Sequence, residues 1–313
     1  MLASRQTPSR QANKQQADRS IRLSRHEDGW IARFFAMASP CELITSGADK
    51  RDSGKAAAIA AKEVWRIQDK YSRFDSRSTL SHINQRAGHP TRVDGETARL
   101  LNTAEHLYQI SNGRFDISSG VLQKAWTFGG NTGVPSAEAV NRLMPAIGWK
   151  KIRWEDPTLL LREGMQIDFG GFGKEYAADA AMTKTKAVVD FPVLINLGGD
   201  ICTSAPRRNG HAWVIAIENP HTPGLASTRI ELHSGAVATS GSTYRHVLAD
   251  GKIYSHILDP ITGWPVEEAP LSVTVAAPTC SEAGMWATLA MLQGALAEQY
   301  LATESTRRHW VKR

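Results

Sequence analysis

The sequence is short of the features that mark disulfide scaffolds, zinc ribbons and membrane proteins. It has 3 cysteines, Cys41, Cys202 and Cys280, too few for a disulfide framework. They also lack the CxxC or Cys/His spacing of a zinc site. Each is flanked by small or apolar residues and is expected to be a small buried hydrophobe. No run approaches the roughly 18 apolar residues of a spanning helix, so no membrane span is expected. The N-terminus carries charge without the apolar segment of a secretory signal. As written, that points to the cytoplasm; a misassigned or trimmed start would make the periplasm the alternative.

Excess charge is missing from the body of the chain. The formal net charge is +6, yet residues 1–25 hold six Lys/Arg against Asp18, and residues 304–313 hold four against Glu304. The stretch between them is left at about −2, so it has no electrostatic reason to seek nucleic acid. What remains is ordinary for a folded soluble chain: 42% apolar and 22% charged over 313 residues. Residues 1–28, rich in Gln, Arg, Ser and Asn, are expected to form a disordered basic arm. Residues 29–303 then form one domain, and 304–313 a basic tail.

The expected elements are mixed. Trp30–Met37 and Cys41–Thr45 suggest two short strands around a Ser39-Pro40 break. Gly54–Tyr71 places Ala58, Ala61, Val64, Trp65 and Gln68 at helical spacing, and Asp94–Ile110 repeats the pattern before Asn112-Gly113. Further helices are expected at Phe172–Ala187 and Ser281–Leu292. Strands are expected at Val193–Leu197, Trp213–Ile217, Thr228–Leu232, Ile253–Leu258 and Leu271–Ala276. No 20–50-residue period recurs. The fold class is α+β, with a mixed or antiparallel sheet and packed helices in one unit.

Several segments have the composition of a site. Asp168-Phe169-Gly170-Gly171-Phe172-Gly173-Lys174 joins a strand end, a glycine-rich turn and a helix start, where backbone N–H groups and Lys174 offer positive potential to phosphate. Its spacing fits neither a Walker loop nor a dinucleotide fingerprint, and a structural turn is an equal reading. Leu197-Gly198-Gly199-Asp200 reads as a tight turn. His256 and Asp259 lie three residues apart before a Pro/Gly turn, as an acid/base pair or as structural hydrogen-bonders. Thr239-Ser240-Gly241-Ser242 lacks the serine-hydrolase pattern. Thr279 or Ser281 caps a helix that carries Thr288 on one face.

The order and wording of these segments resemble the FAD:protein FMN transferase family, the ApbE-like flavin transferases. The matching stretches are MASPCELIT (37–45), YSRFDSRSTLSHIN (71–84), SNGRFDISSGVLQKAWTFG (111–129), IDFGGFGKEYAADAA (167–181), LINLGGDI (194–201), ATSG (238–241), YSHILDPITGWPV (254–266) and SVTVAAPTCSEAGMWAT (272–288). They run collinearly from about residue 30 to 294. The resemblance implies a single α+β, T-fold-like domain that takes FAD as substrate with Mg²⁺. It would join FMN to a Ser or Thr hydroxyl of a partner flavoprotein and release AMP. Carried over by position, Met37, Phe74, Arg114, Phe115, Asp116, Asp168, Lys174 and Leu258 would contact FAD, with Phe74 offering a stacking face. The metal would be held by the Gly171 carbonyl, Thr288 and a carboxylate four residues before Thr288.

That carboxylate is absent, because position 284 is Gly284. A hard ion such as Mg²⁺ wants oxygen ligands, usually one or two carboxylates among them. Glu282, Asp259 and Asp168 are the substitutes that the sequence offers. Without one, the chain would hold FAD without transfer; hydrolysis of FAD to FMN and AMP would need the same metal. Restoring the carboxylate by Gly284→Asp is expected to raise Mg²⁺ affinity and turnover, unless another residue already fills the place.

Overall fold

The computed structural model describes residues 19–128, 133–222, 224–242, 245–249 and 251–313. Its frame is an eight-stranded antiparallel sheet whose strands neighbour one another in chain order. They are β1 (Arg22–His26), β2 (Gly29–Ala36), β3 (Ser39–Thr45), β4 (Val193–Leu197), β5 (Asp200–Thr203), β6 (Gly235–Gly241), β7 (Ser272–Ala277) and β8 (Arg308–Lys312). Two turns of two residues each, Met37-Ala38 and Gly198-Gly199, join β2 to β3 and β4 to β5. Because Cys41 of β3 pairs with Leu197 of β4, both turns emerge at the same end of the sheet.

Four long helices are α1 (Lys50–Tyr71), α2 (Gly95–Ile110), α3 (Gly173–Lys186) and α4 (Cys280–Met291). Period-two alternation sorts the strands between two faces. Val193, Ile195 and Leu197 of β4 pack with Ala56, Ala57, Ala60 and Ala61 of α1 and with Ala177, Ala178 and Ala181 of α3. Those alanines let the helices lie close to the sheet and to each other. Leu194 and Val237 point the other way, under a two-stranded ribbon formed by Trp213–Glu218 and Ala226–Leu232. Val273 and Val275 of β7 meet Ala287, Ala290 and Met291 of α4. A second core forms around α2, from residues between Leu80 and Phe172 with Leu289 and Leu292, and in it Phe115, Phe169 and Phe172 pack behind the glycine turn.

The α+β fold stands as expected, but the domain reaches further than the charge pattern suggested. Arg22–His26 pairs with Arg33–Gly29 of β2, so part of the expected arm is an edge strand. Arg308–Lys312 pairs with β7, so the expected tail closes the opposite edge. Charged and aromatic side chains suit an edge strand, where one row of backbone groups faces water. The rest of the arm, residues 1–18, lies outside the described residues. Among the described residues, no helix is long and apolar enough to cross a membrane.

Candidate active site

The glycine-rich turn is held from behind. Asn84 brackets the backbone of Ile167, donating to its carbonyl at 2.9 Å and accepting from its N–H at 2.8 Å. Asp168 then accepts hydrogen bonds from Gln123 (2.8 Å), from the Gly170 N–H (2.9 Å) and from the Arg73 guanidinium. Phe172 is buried against Phe115 and Phe169. A side chain at Gly171 would meet the Phe115 ring at 3.0 Å, so this position has to remain small. α3 starts without a side-chain cap, leaving its first turn open to an anion.

The two sheet-end turns close over this helix start. Met37 and Ala38 both have positive φ, 49° and 57°, a conformation that costs a residue with a side chain. It brings the Met37 methyl 3.9 Å from where a Gly173 side chain would begin. Gly198, with φ of 68°, lies beneath: a Cβ there would sit 2.8 Å from Ser39. The Gly198-Gly199 turn delivers Asp200, almost wholly buried, to a point 3.6 Å from the Lys174 ammonium. Burial raises the Asp200 carboxyl above its usual range, while Lys174 and a Thr239 N–H pull it back.

α3 and α4 run against each other in a regular register. Asp179 accepts from the N–H groups of Cys280 and Ser281 (both 2.8 Å) and from the Ser281 hydroxyl (2.6 Å), tying the start of α4 to α3. One turn back on α3 and one turn on along α4, Glu175 meets Gly284. A Cβ on Gly284 would lie 2.5 Å from Glu175 Cγ and 2.6 Å from its Oε1. The space that a side chain at 284 would take is therefore filled by a carboxylate from the neighbouring helix. Loss of hydration, and next the Asp200 charge, push the Glu175 carboxyl upward; Lys174 offsets this only in part. Lys174 reaches Asp200, and among the described residues no cation forms an ion pair with Glu175.

Cations gather on the other wall. Arg245 is pulled below its ordinary value by burial and then by the charge of Arg73. His256 lies beside it: the His256 N–H donates to the Arg245 carbonyl at 3.2 Å, and ring Nδ1 is 3.0 Å from the same oxygen. A carbonyl only accepts, so Nδ1 carries the hydrogen and Nε2 keeps its lone pair. Burial, then the charge of Arg245, push the imidazole down to about 4; Lys174 adds to this. Phe74, 80% exposed, stands at the rim with the Arg73 guanidinium 4.5 Å from its ring centre.

Several expected site residues are engaged within the protein. Asp116 is buried and accepts from the N–H of Ser118 (2.8 Å), the Ser118 hydroxyl (2.6 Å) and the N–H of Trp149 (2.7 Å), so its carboxylate is spent inside the protein. Arg114 donates to the Leu292 carbonyl, just past α4, and Phe115 supports Gly171 from the core. Asp259 is not a partner of His256: its carboxylate accepts the Ile261 N–H at 2.8 Å and shapes the turn. Leu258 bridges to Pro265 and joins the cluster around Trp126. Glu282 points away, held by Arg307 at 2.6 Å, so it cannot substitute at 284. The cysteines are free and buried, as expected. Glu175 and Arg245 were not singled out from the sequence, and Asp200 only as the end of a tight turn. Only the Lys174-Glu175 doublet beside a glycine turn offered a signal, and it did not say which way the glutamate turns.

The donor set suits a hard divalent cation. The Gly171 carbonyl accepts no backbone hydrogen bond among the described residues, Glu175 brings a carboxylate to Gly284, and Thr288 carries a hydroxyl one turn further along α4.

Residues 37–309 match the profile of the ApbE family. A FAD:protein FMN transferase of Chlamydia trachomatis is 30% identical over 241 residues, 73% of this chain and 74% of that protein. One from Chlamydia pneumoniae is 31% identical over 76% of this chain and 78% of its own length. Among solved structures, the ApbE protein of Thermotoga maritima superposes with a TM-score of 0.82 at 28% identity, covering 90% of this chain and 94% of that one. The flavin transferase ApbE of Vibrio cholerae gives 0.78 at 24% identity over 90% and 93%, a likeness of fold.

Proposed function

The chain belongs to the ApbE family, and from that premise we propose that it is a FAD:protein FMN transferase, moving FMN from FAD to a Ser or Thr hydroxyl of a partner flavoprotein and releasing AMP. The observation that carries the reading is the meeting of Lys174, Arg245 and a neutral His256 at the uncapped start of α3. A dinucleotide's two phosphates need such a place: open N–H groups, cations not fully matched by carboxylates, and a base beside them.

Lys174 and Arg245 bind the pyrophosphate oxygens, and the first turn of α3 donates to them. Phe74 at the rim and Met37 over the turn bracket the flavin and exclude water from it. The acceptor hydroxyl approaches the FMN phosphorus from the side of His256. Its oxygen forms the new P–O bond, its proton passes to His256 Nε2, and the bridging P–O bond breaks with its electron pair leaving on AMP. Positioning and charge neutralisation dominate such a transfer, and the base adds to them. Mg²⁺, held by the Gly171 carbonyl, Thr288 and a carboxylate, would supply Lewis-acid neutralisation of charge on the leaving phosphate.

The test is to incubate the full chain with FAD, Mg²⁺ and an acceptor protein that one of the relatives flavinylates. Flavin fluorescence in a denaturing gel and released AMP are then measured. A covalent adduct with one AMP per flavin supports the reading. AMP without adduct means hydrolysis, FAD bound without AMP means storage, and either result overturns it.

A further inference from the structure

We propose that Glu175 supplies the divalent-cation carboxylate of this protein, standing in from α3 for the side chain that Gly284 of α4 does not have. The inference rests on the transferase reading of the same site but concerns a residue outside the ligand set that the resemblance implied. Three independent observations meet here. Glu175 Cγ and Oε1 lie 2.5 and 2.6 Å from the Cβ position of residue 284, so the two side chains compete for one volume. The Asp179 tie to Cys280 and Ser281 sets the register that puts Glu175 beside Gly284. The nearest lysine is directed to Asp200, so Glu175 forms no ion pair among the described residues.

A carboxylate in such a place has two fates. It is held protonated, as a filler beside a glycine, or it is balanced by a cation from solution. The ion-pair geometry points to the second: Lys174 lies 3.6 Å from Asp200 and leaves Glu175 without a cation among the described residues, and the other donors that the resemblance implied are hard oxygens. The glycine and the glutamate then form one device. A small residue at 284 opens the volume, and the longer glutamate crosses the helix–helix gap to fill it.

The probe is Mn²⁺ as a spectroscopic stand-in for Mg²⁺, titrated into the full chain with and without FAD, with free Mn²⁺ counted by electron paramagnetic resonance. Glu175→Gln keeps the size of the side chain and is expected to weaken Mn²⁺ binding by at least about tenfold. The exchanged variant, Glu175→Gly with Gly284→Asp, is expected to recover most of that loss because it returns one carboxylate to the same volume. Unchanged Mn²⁺ affinity in Glu175→Gln, with an unchanged melting temperature, would overturn the proposal. Failure here and failure of the transferase reading are separable. Wild-type protein that flavinylates an acceptor while Glu175→Gln keeps the same Mg²⁺ dependence refutes only the role of Glu175. Wild-type protein that binds Mn²⁺ through Glu175 but leaves FAD intact refutes only the reaction.

Discussion

Glu175 and Gly284 share one volume: the carboxyl arm of the first occupies the place where the second would carry a side chain. A carboxylate at 284 therefore does not enter an empty site, as the sequence suggested, but collides with one already present. The cleanest demonstration uses a methyl group. Gly284→Ala, despite the gain in helix propensity that alanine brings, is expected to lower stability by about 1–3 kcal/mol, the usual cost of overpacking. Denaturant unfolding measures it, and Glu175→Gly added to Gly284→Ala is expected to return the loss.

His256 sets the pH behaviour. Burial and Arg245 hold its imidazole near 4 in the free protein, below the ordinary 6.5, so the base form is present throughout the neutral range. Bound phosphates offset Arg245 and Lys174 and raise it again. The acid limb of kcat/KM, which reports the free protein, is thus expected near pH 4, and that of kcat at higher pH. The folded value is depressed, so the unfolded chain takes up the proton first, and stability falls as pH drops from about 6.5 to about 4. His256→Gln is expected to flatten both limbs and to lower kcat by about 10²–10⁴. The paired pH profiles check it.

Much of the frame was legible because burial writes a period into the sequence. The helix read at Gly54–Tyr71 is Lys50–Tyr71, Val193–Leu197 is a strand as read, and the expected cap at Thr279 accepts from the Glu282 N–H. Edge strands left no such mark: Arg22–His26 and Arg308–Lys312 are charged and only partly buried, so they read as tails. The candidate site was legible where it is contiguous, at Asp168–Lys174, and illegible where it is assembled. That Glu175 faces α4, while Glu282 turns to Arg307, depends on the helix register that Asp179 fixes across about a hundred residues of chain. Arg245 is one residue in a strand-edge segment, with nothing local to mark it. Asp116 shows the opposite case: the resemblance drew attention to a carboxylate that, in the structure, accepts from Ser118 and Trp149.

Arg245 is expected to act twice, on the substrate and on the base. Its guanidinium, crowded by Arg73, has no ion-pair partner among the described residues. Arg245→Gln removes one charge-assisted contact to phosphate, worth about 1.5–3 kcal/mol, or roughly 10–100-fold in FAD affinity. It also removes the charge that, after burial, most depresses His256. The imidazole should then titrate closer to its ordinary 6.5, which NMR of the ring protons in the free protein follows directly. Weakened FAD binding with an unmoved histidine would separate the two roles and refute the second.

Asp116 provides the contrast between holding a ligand and holding the fold. Its carboxylate satisfies two backbone N–H groups and one hydroxyl in the interior, joining the 3₁₀ turn at Ser118 to Trp149. Removing it leaves those donors buried without a partner, at about 1–3 kcal/mol for each unsatisfied group. Asp116→Ala is therefore expected to lower the melting temperature by several degrees. Below the transition, where the protein remains folded, FAD affinity should stay within about twofold of wild type, because the lost contacts lie behind the glycine turn. Calorimetry and FAD titration on the same sample check both halves. A large loss of affinity at full folding would return Asp116 to the binding site.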